Sequence, residues 1–176
     1  MSDVASLVEP HIPALRRYAW ALLRDDHAAD DLVQDCLERA VRRWHLRRRD
    51  GNVRAWLFAI LHNQFVSGHR QRRRRGVAVP LDDATAAAAL YATAGADDPE
   101  LGVVCRDVLD GLAALSEEQR AVILLVAVED LSYDEAARVL GVPIGTVMSR
   151  LSRGRDRLRS YVDGETDPRV RLRRVK

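Results

Sequence analysis

Apolar residues recur at three- and four-residue spacing along most of this chain, and that spacing is typical of amphipathic α-helices. The pattern predicts helices over residues 12–23, 28–44 and about 53–73. After a gap it resumes over 99–115, and Ser116 with Gln119 has the spacing of a capping box that opens a helix through about Val128. Two further helices meet near residue 141. We therefore expect an all-α protein with two small helical domains joined by a flexible linker.

The last two helices have the clearest local signals. Ser132 and Glu135 have the spacing of a capping box, in which each side chain accepts a hydrogen bond from a backbone N–H at the start of a helix. Gly141 suits the left-handed residue that closes a helix, and Pro143 suits the entry to the next one. This order predicts a helix-turn-helix. A helical hairpin with a solvated basic face is the alternative.

The second helix of this motif has a polar and basic face beside its apolar stripe. When such a helix lies in the major groove of DNA, its side chains reach phosphates and base edges. The residues on this face are Thr146, Ser149, Arg150, Arg153 and Arg157.

Charge is unevenly distributed, although the formal net charge is only +2. The first 41 residues contain four arginines and eight acids, whereas residues 42–75 contain eleven arginines and one acid. Such segregation predicts one surface for a polyanion and another for a basic protein partner. The second predicted helix has an acidic face opposite its apolar stripe, which is either simply solvated or a docking surface. Its residues are Asp30, Asp31, Gln34, Asp35 and Glu38.

Two segments lack a helical core pattern. Residues 76–98 are alanine-rich and acidic, and no Lys or Arg occurs between Arg75 and Arg106. This composition predicts a flexible linker. The tail, residues 163–176, has five basic residues near its end and is expected to be disordered, with an additional phosphate contact as the alternative.

Several functional classes find no support in the sequence. No apolar run is long enough to span a bilayer and the N-terminus lacks a secretory signal pattern, so we expect a cytoplasmic protein without membrane insertion. Cys36 and Cys105 are far apart and form no metal-binding pair, and His62 and His69 have no partner at ligand spacing. We therefore expect no metal site, no cofactor and no catalysis.

Two blocks of the chain resemble the extracytoplasmic-function (ECF) sigma factors of the sigma-70 family, in the order of that family. The likeness to region two of the family lies in residues 30–35 (DDLVQD), in residues 52–63 (NVRAWLFAILHN) and in the arginine cluster that follows. Residues 115–159 resemble region four. The stretches 15–18, 54–58 and 146–155 are most similar to the general-stress-response branch of the family.

The resemblance implies a division into region two at 1–75, a linker at 76–98, region four at 99–162 and a basic tail at 163–176. It implies a promoter-specificity subunit of RNA polymerase that works by binding alone. Its partners would be core RNA polymerase, through the beta-prime clamp helices and the beta subunit, and promoter DNA. The residues implied at the clamp helices are Asp30, Asp31, Gln34 and Asp35.

The resemblance also implies how promoter DNA is read. Region two would open the minus-ten element and hold an extruded base. Extraction of the base costs stacking energy, which a pocket and nearby cations must offset. The residues implied there are Asn52, Arg54, Asn63, Arg70, Arg72 and Arg73. Region four would read the minus-thirty-five element as duplex with Thr146, Ser149, Arg150 and Arg153, and would contact phosphates with Arg155 and Arg157. Trp56 either stacks on DNA or belongs to the core.

Two neighbouring residues depart from the family pattern. Ser67 stands where the family often has an acid, and Gly68 predicts fraying or bending of the third helix.

The resemblance also implies an anti-sigma factor as a further partner. The alternatives are a stand-alone helix-turn-helix regulator, which leaves the N-terminal half without a task, and a sigma-like mimic that sequesters an anti-sigma factor.

Overall fold

The computed structural model describes residues 2–47, 51–74 and 108–162, and these residues form helices and no strand. The N-terminal unit contains α1 (Ser2–Val8), α2 (Ile12–Leu23), α3 (Asp26–Arg42) and α4 (Val53–Arg74). Short 3-10 turns lie at Glu9–His11 and Trp44–Leu46. The C-terminal unit contains α5 (108–113), α6 (Glu117–Ile123) with a π-helical turn (Leu124–Val128), α7 (Tyr133–Leu140) and α8 (Ile144–Val162).

Aromatic and aliphatic side chains form the core of the N-terminal unit. Tyr18 on α2 contacts Phe58 on α4 edge to face, with 5.3 Å between ring centroids, and its hydroxyl is hydrogen-bonded to Nδ1 of His62 at 3.0 Å. Cys36 on α3 is fully buried and donates to the carbonyl of Leu57 at 3.5 Å. Burial of this kind contributes about 1.5–3 kcal/mol for each large apolar side chain.

Local signals in the C-terminal unit produce the helix-turn-helix. The capping box of Ser132 and Glu135 is complete, and Gly141 closes α7 with a left-handed φ of 65°. Gly154 lets α8 approach α6, because a Cβ there would lie 2.8 Å from Cδ1 of Ile123. The predicted motif is therefore confirmed.

The observed helices differ from the predicted ones at their ends. Nothing in the spacing predicts α1. α3 begins at Asp26 because Asp25 caps it, accepting from the N–H of Ala28 at 2.8 Å. It ends at Arg42, where the prediction continued to Trp44. The predicted linker, the first part of the 99–115 helix and the tail lie outside the described residues.

Two further predictions about helices were wrong in part. Ser116 accepts from the N–H of Gln119, but Oε1 of Gln119 accepts from Arg157 at 3.2 Å, so the predicted capping box is half formed. α4 continues past Gly68 to Arg74 rather than fraying. Just beyond that glycine, His69 lies 3.1 Å from Glu117 of the other unit, and this contact supports the last turns of α4.

The two units pack against each other. α4 lies against α7, and α2 lies against α6 and the π-helical turn. Buried residues of both units belong to one hydrophobic cluster. Polar contacts also cross the interface, including a guanidinium of Arg120 that donates to the carbonyl of Leu22 at 3.5 Å and an ion pair of Arg24 with Asp110 at 3.5 Å.

Candidate nucleic-acid interface

The acidic face of α3 is solvent-exposed. Asp30, Asp31, Gln34 and Asp35 all lie opposite the buried stripe of the helix. Asp30 pairs with Arg16 at 3.0 Å, and both side chains remain 61% exposed. The four predicted polymerase-contacting residues therefore share one accessible surface.

The start of α4 brings Asn52 and Arg54 together. Asn52 caps the helix, because its side-chain oxygen accepts from the N–H of Arg54 at 3.0 Å and from that of Ala55 at 3.5 Å. Its side-chain nitrogen donates to Oε1 of Glu135 in the C-terminal unit at 2.5 Å. Asn52 thus has a local role and a contact across the interface.

Arg54 points into the interface between the units. Its guanidinium lies over the ring of Phe58 and donates to Oε2 of Glu129 at 2.7 Å. Arg17 of α2 donates to both oxygens of the same carboxylate, at 3.2 and 3.1 Å. Glu129 is only 1% exposed, so two arginines of one unit enclose a carboxylate of the other.

The other predicted minus-ten residues lie elsewhere on α4. Asn63 and Arg70 are exposed and seven residues apart, so they share one face of the helix. Arg54 is nine residues before Asn63, about half a turn around the helix. The structure therefore does not bring Arg54 and Asn63 to one side. Arg72 and Arg73 lie in the last turn of α4, and their side chains are outside the described part of the chain.

Most of the predicted minus-thirty-five residues form one stripe on α8. Thr146, Ser149, Arg150, Arg153 and Arg157 follow three- and four-residue spacing beside the buried positions Val147 and Leu151. Along this stripe, Nε of Arg153 donates to the carbonyl of Ser149 at 3.2 Å. Arg155 lies on the opposite flank, near the exposed Met148.

His62 is a buried histidine of α4 whose imidazole is hydrogen-bonded to Tyr18. Burial of its imidazole lowers its pKa to about 4, and the positive charge of Arg150 on α8 acts in the same direction. Burial also raises the pKa of the Tyr18 hydroxyl that bonds to His62.

The described residues contain no group of three or more His, Cys, Asp and Glu side chains arranged to hold a metal ion. Burial raises the pKa of the Cys36 thiol to about 12, as expected for a small core residue. Cys105 lies outside the described residues. In the part of the chain that the structure covers, none of the helices is both apolar enough and long enough to cross a membrane.

Family models match both halves of the chain. The sigma2 domain of PhyR matches residues 8–62, and sigma-70 region 4 matches residues 105–158. The ECF RNA polymerase sigma factor EcfG of Rhodopseudomonas palustris is 37% identical over 158 residues, which are 89% of this chain and 84% of that protein. The chain belongs to the ECF RNA polymerase sigma factors. It is therefore a transcription initiation factor that directs core RNA polymerase to promoters.

Other ECF sigma factors and solved structures agree with this assignment. SigE of Mycolicibacterium smegmatis is 35% identical over 163 residues, covering 89% of this chain and 60% of that protein. The sigma factor RpoE of Bartonella quintana, solved with the anti-sigma factor NepR, is 33% identical with a TM-score of 0.75, covering 93% of this chain and 98% of that one. PhyR of the same organism, solved with NepR, is 17% identical with a TM-score of 0.56 and covers 88% of this chain and 48% of that one, which shows a shared fold.

Sequence reasoning missed the contact between the two units of this sigma factor. Glu129 follows a run of apolar residues, where an acid is usually solvent-exposed, and Arg17 is one of many arginines. Only the packing of α2 and α4 against the turn after α6 shows that these groups are paired. No spacing in the sequence signals a pair separated by 112 positions.

Proposed function

We propose that this sigma factor binds core RNA polymerase through the acidic face of α3, on the clamp helices of the beta-prime subunit. The observation that supports it is the exposure of Asp30, Asp31, Gln34 and Asp35 on one face, while the opposite face of α3 is buried. Exposed carboxylates at three- and four-residue spacing present a continuous negative stripe to a basic partner. The protein acts where RNA polymerase is, in the cytoplasm, and with no covalent step of its own.

Run-off transcription tests this docking role. Purified core RNA polymerase is supplied with a genomic promoter library and either the wild-type chain or the double variant Asp31→Arg, Asp35→Arg. We expect defined new start sites with the wild-type chain and their loss with the double variant. The matched control is Glu9→Arg with Asp134→Arg, which makes the same charge change at exposed positions outside the acidic face.

Equal loss of transcription in the control would show that net charge, not the position of the charge, matters. Absence of new start sites with the wild-type chain, together with tight binding to free duplex, would favour a stand-alone regulator. Absence of both would favour a mimic that acts only on an anti-sigma factor.

In the minus-ten element, the proposed contacts to the unpaired strand are Asn52, Arg54 and Asn63. Arg70, Arg72 and Arg73 would neutralise phosphates beside it, which gives affinity without sequence preference. The exposed face shared by Asn63 and Arg70 supports their part in this assignment. Nη2 of Arg54 donates to Glu129, so a DNA acceptor would compete with that carboxylate for the guanidinium.

In the minus-thirty-five element, the stripe on α8 would enter the major groove, with Arg157 on phosphate and Arg155 reaching phosphate from the other flank.

Two variants, one on α8 and one on α4, separate base reading from phosphate binding. Arg150→Ala should reduce promoter selectivity, whereas Arg73→Ala should weaken binding to all sequences and lower the salt slope by about one. Equal losses on every sequence for both variants would contradict these roles.

An anti-sigma factor is a further proposed partner. RpoE of Bartonella quintana was solved with the anti-sigma factor NepR, and CnrH, 27% identical to this chain with a TM-score of 0.66, was solved with the cytosolic domain of CnrY. Co-purification of the tagged chain from its host, followed by mass spectrometry, should recover a protein that blocks run-off transcription. Recovery of polymerase subunits without any inhibitory protein would count against this partner.

A further inference from the structure

A polar groove lies between the C-terminal half of α3 and α4, beside the acidic face of α3. Its volume is about 320 Å³. The residues that line it are Asp35, Glu38, Arg39, Arg42, Arg43 and Gln64. Arginines outnumber acids in this groove, so it is positive where the neighbouring face is negative.

Two of the arginines are available to a partner. Arg42 pairs with Glu38 at 3.4 Å, and this pair is largely exposed to solvent. Arg39 and Arg43 are also exposed, and within the described ranges of the chain neither guanidinium makes an ion pair or a hydrogen bond. The groove thus presents two planar guanidiniums, each able to bind an anionic acceptor through two donors.

Gln64, the α4 residue of the groove, contains a polar atom that lacks a partner. Its Oε1 is buried and accepts no hydrogen bond from the residues that the structure describes. Buried polar atoms usually have at least one hydrogen-bond partner in a completed structure. A side chain that enters the groove therefore meets the amide of Gln64 together with the two guanidiniums.

Guanidiniums bind two kinds of macromolecular anion, the phosphates of DNA and the carboxylates of a protein. The acids of the groove discriminate between them. Asp35 and Glu38 lie among the arginines and repel the closely spaced phosphates of a nucleic-acid strand. A protein surface with both acidic and basic residues can place an opposite charge against each charge of the groove. The mixed charge therefore favours a protein partner.

The position of the groove along α3 indicates which protein this is. Asp31 and Asp35 lie on the exposed face that is proposed to dock on RNA polymerase, and Arg39 and Arg43 follow them along the chain by eight positions each. Eight residues correspond to about 12 Å along an α-helix. The exposed surface of α3 thus changes from negative to positive over a length that one docked helix can span.

We propose that the groove of Arg39, Arg43 and Gln64 accepts an acidic side chain of the beta-prime clamp helices, so that the docking surface of α3 is bipolar. Its acids bind basic residues of the clamp helices, and its arginines bind an acid about 12 Å further along. Charges of both signs fix the direction and register of a partner, because a shifted partner brings like charges together. The inference rests on the proposed function, since it takes α3 as the helix that docks on the polymerase.

Binding to core RNA polymerase in the absence of DNA tests the bipolar surface. Biolayer interferometry with immobilised core enzyme compares the wild-type chain, the pair Arg39→Glu with Arg43→Glu, the pair Asp31→Arg with Asp35→Arg, and the fourfold variant. The two pairs shift the net charge in opposite directions, so a general attraction between the proteins would strengthen one and weaken the other. A bipolar surface predicts that both pairs bind about tenfold more weakly and that the fourfold variant does not recover.

Two further variants control for charge and for position. Arg39→Lys with Arg43→Lys keeps both positive charges without the planar fork and should lose only about threefold in affinity. Arg138→Glu with Arg159→Glu makes the same charge change at exposed positions of the C-terminal unit and should bind like the wild type. Equal losses for the lysine and glutamate pairs, or for the control and groove pairs, would overturn the proposal.

The other outcomes separate this contact from the docking role itself. Undiminished affinity of Arg39→Glu with Arg43→Glu, alongside a loss for the acidic pair, would overturn the arginine contact and leave the docking of α3 in place. Undiminished affinity of both pairs would remove the docking role as well. Unchanged binding to core enzyme with weaker binding to promoter DNA, measured by fluorescence anisotropy, would assign the groove to phosphate and overturn its protein partner.

Discussion

The carboxylates of α3 and the carboxylate of Glu129, in the turn before α7, have the same chemistry but opposite surroundings. Asp31 and Asp35 lie on the exposed face of α3, whereas Glu129 is buried between two arginines of the other unit. An exposed carboxylate contributes little to stability and stays available to another protein. A buried, paired carboxylate contributes to the arrangement of its own chain. Location in the fold therefore separates acids that remain available to a partner from acids that pair within the chain.

The largest expected difference is in stability. Glu129→Ala leaves Arg17 and Arg54 without their acceptor and should lower the free energy of unfolding by about 3 kcal/mol. Asp31→Ala removes an exposed side chain and should change it by less than about 0.5 kcal/mol. Urea denaturation followed by circular dichroism measures both. Similar values for the two variants would remove the distinction between the two sets of carboxylates.

Low pH should lower the free energy of unfolding, because the imidazole of His62 is buried in its neutral form. His62 has a folded-state pKa of about 4 against an ordinary value of 6.5, so below pH 6.5 the unfolded chain binds a proton that the folded chain does not. Stability is therefore complete above pH 6.5 and is lost as the pH falls toward 4. Between about pH 7 and pH 5 this loss should be roughly 2 kcal/mol.

His62→Gln isolates that contribution, because glutamine does not titrate. Urea denaturation at the two pH values should show a difference about 2 kcal/mol smaller for the variant than for the wild type. Parallel pH profiles for the two proteins would show that other groups cause the loss.

The capping box that holds Glu135 should have a smaller effect. Ser132→Ala removes the side-chain acceptor for the N–H of Glu135 and should cost about 1 kcal/mol. Ser152→Ala, at an exposed position in the middle of α8, is the control and should cost less than about 0.5 kcal/mol. Thermal denaturation compares them, and an equal shift in Tm would argue against a stabilising cap.

The smallest effect is expected for the exposed ion pair of Arg16 and Asp30. Both side chains are 61% exposed, so a double-mutant cycle with Arg16→Ala and Asp30→Ala should give a coupling below about 0.5 kcal/mol. The same cycle for Arg17 and Glu129 should give several times more. Equal coupling energies would mean that burial does not distinguish the two neighbouring arginines.

Much of the fold follows from local signals. α2 has the predicted bounds, and the complete box at Ser132 with the left-handed Gly141 defines the start and end of α7. Prediction was weaker where tertiary partners compete with local ones. Gln119 has the spacing of a capping residue, yet its side chain accepts from Arg157 of α8. α1 has only seven residues, about two turns, which is too short to show a periodicity.

The sequence by itself determined the helical content, the helix-turn-helix and the acidic face of α3. These depend on residues a few positions apart, whose spacing fixes which side chains share a helix face. The family followed from the resemblance of two blocks of the chain to the ECF sigma factors. Only the tertiary structure decided that Arg54 points into the interface between the units and that Glu129 is enclosed by Arg17 and Arg54. Pairing across more than seventy positions depends on how whole helices pack, and spacing along the chain contains no record of that.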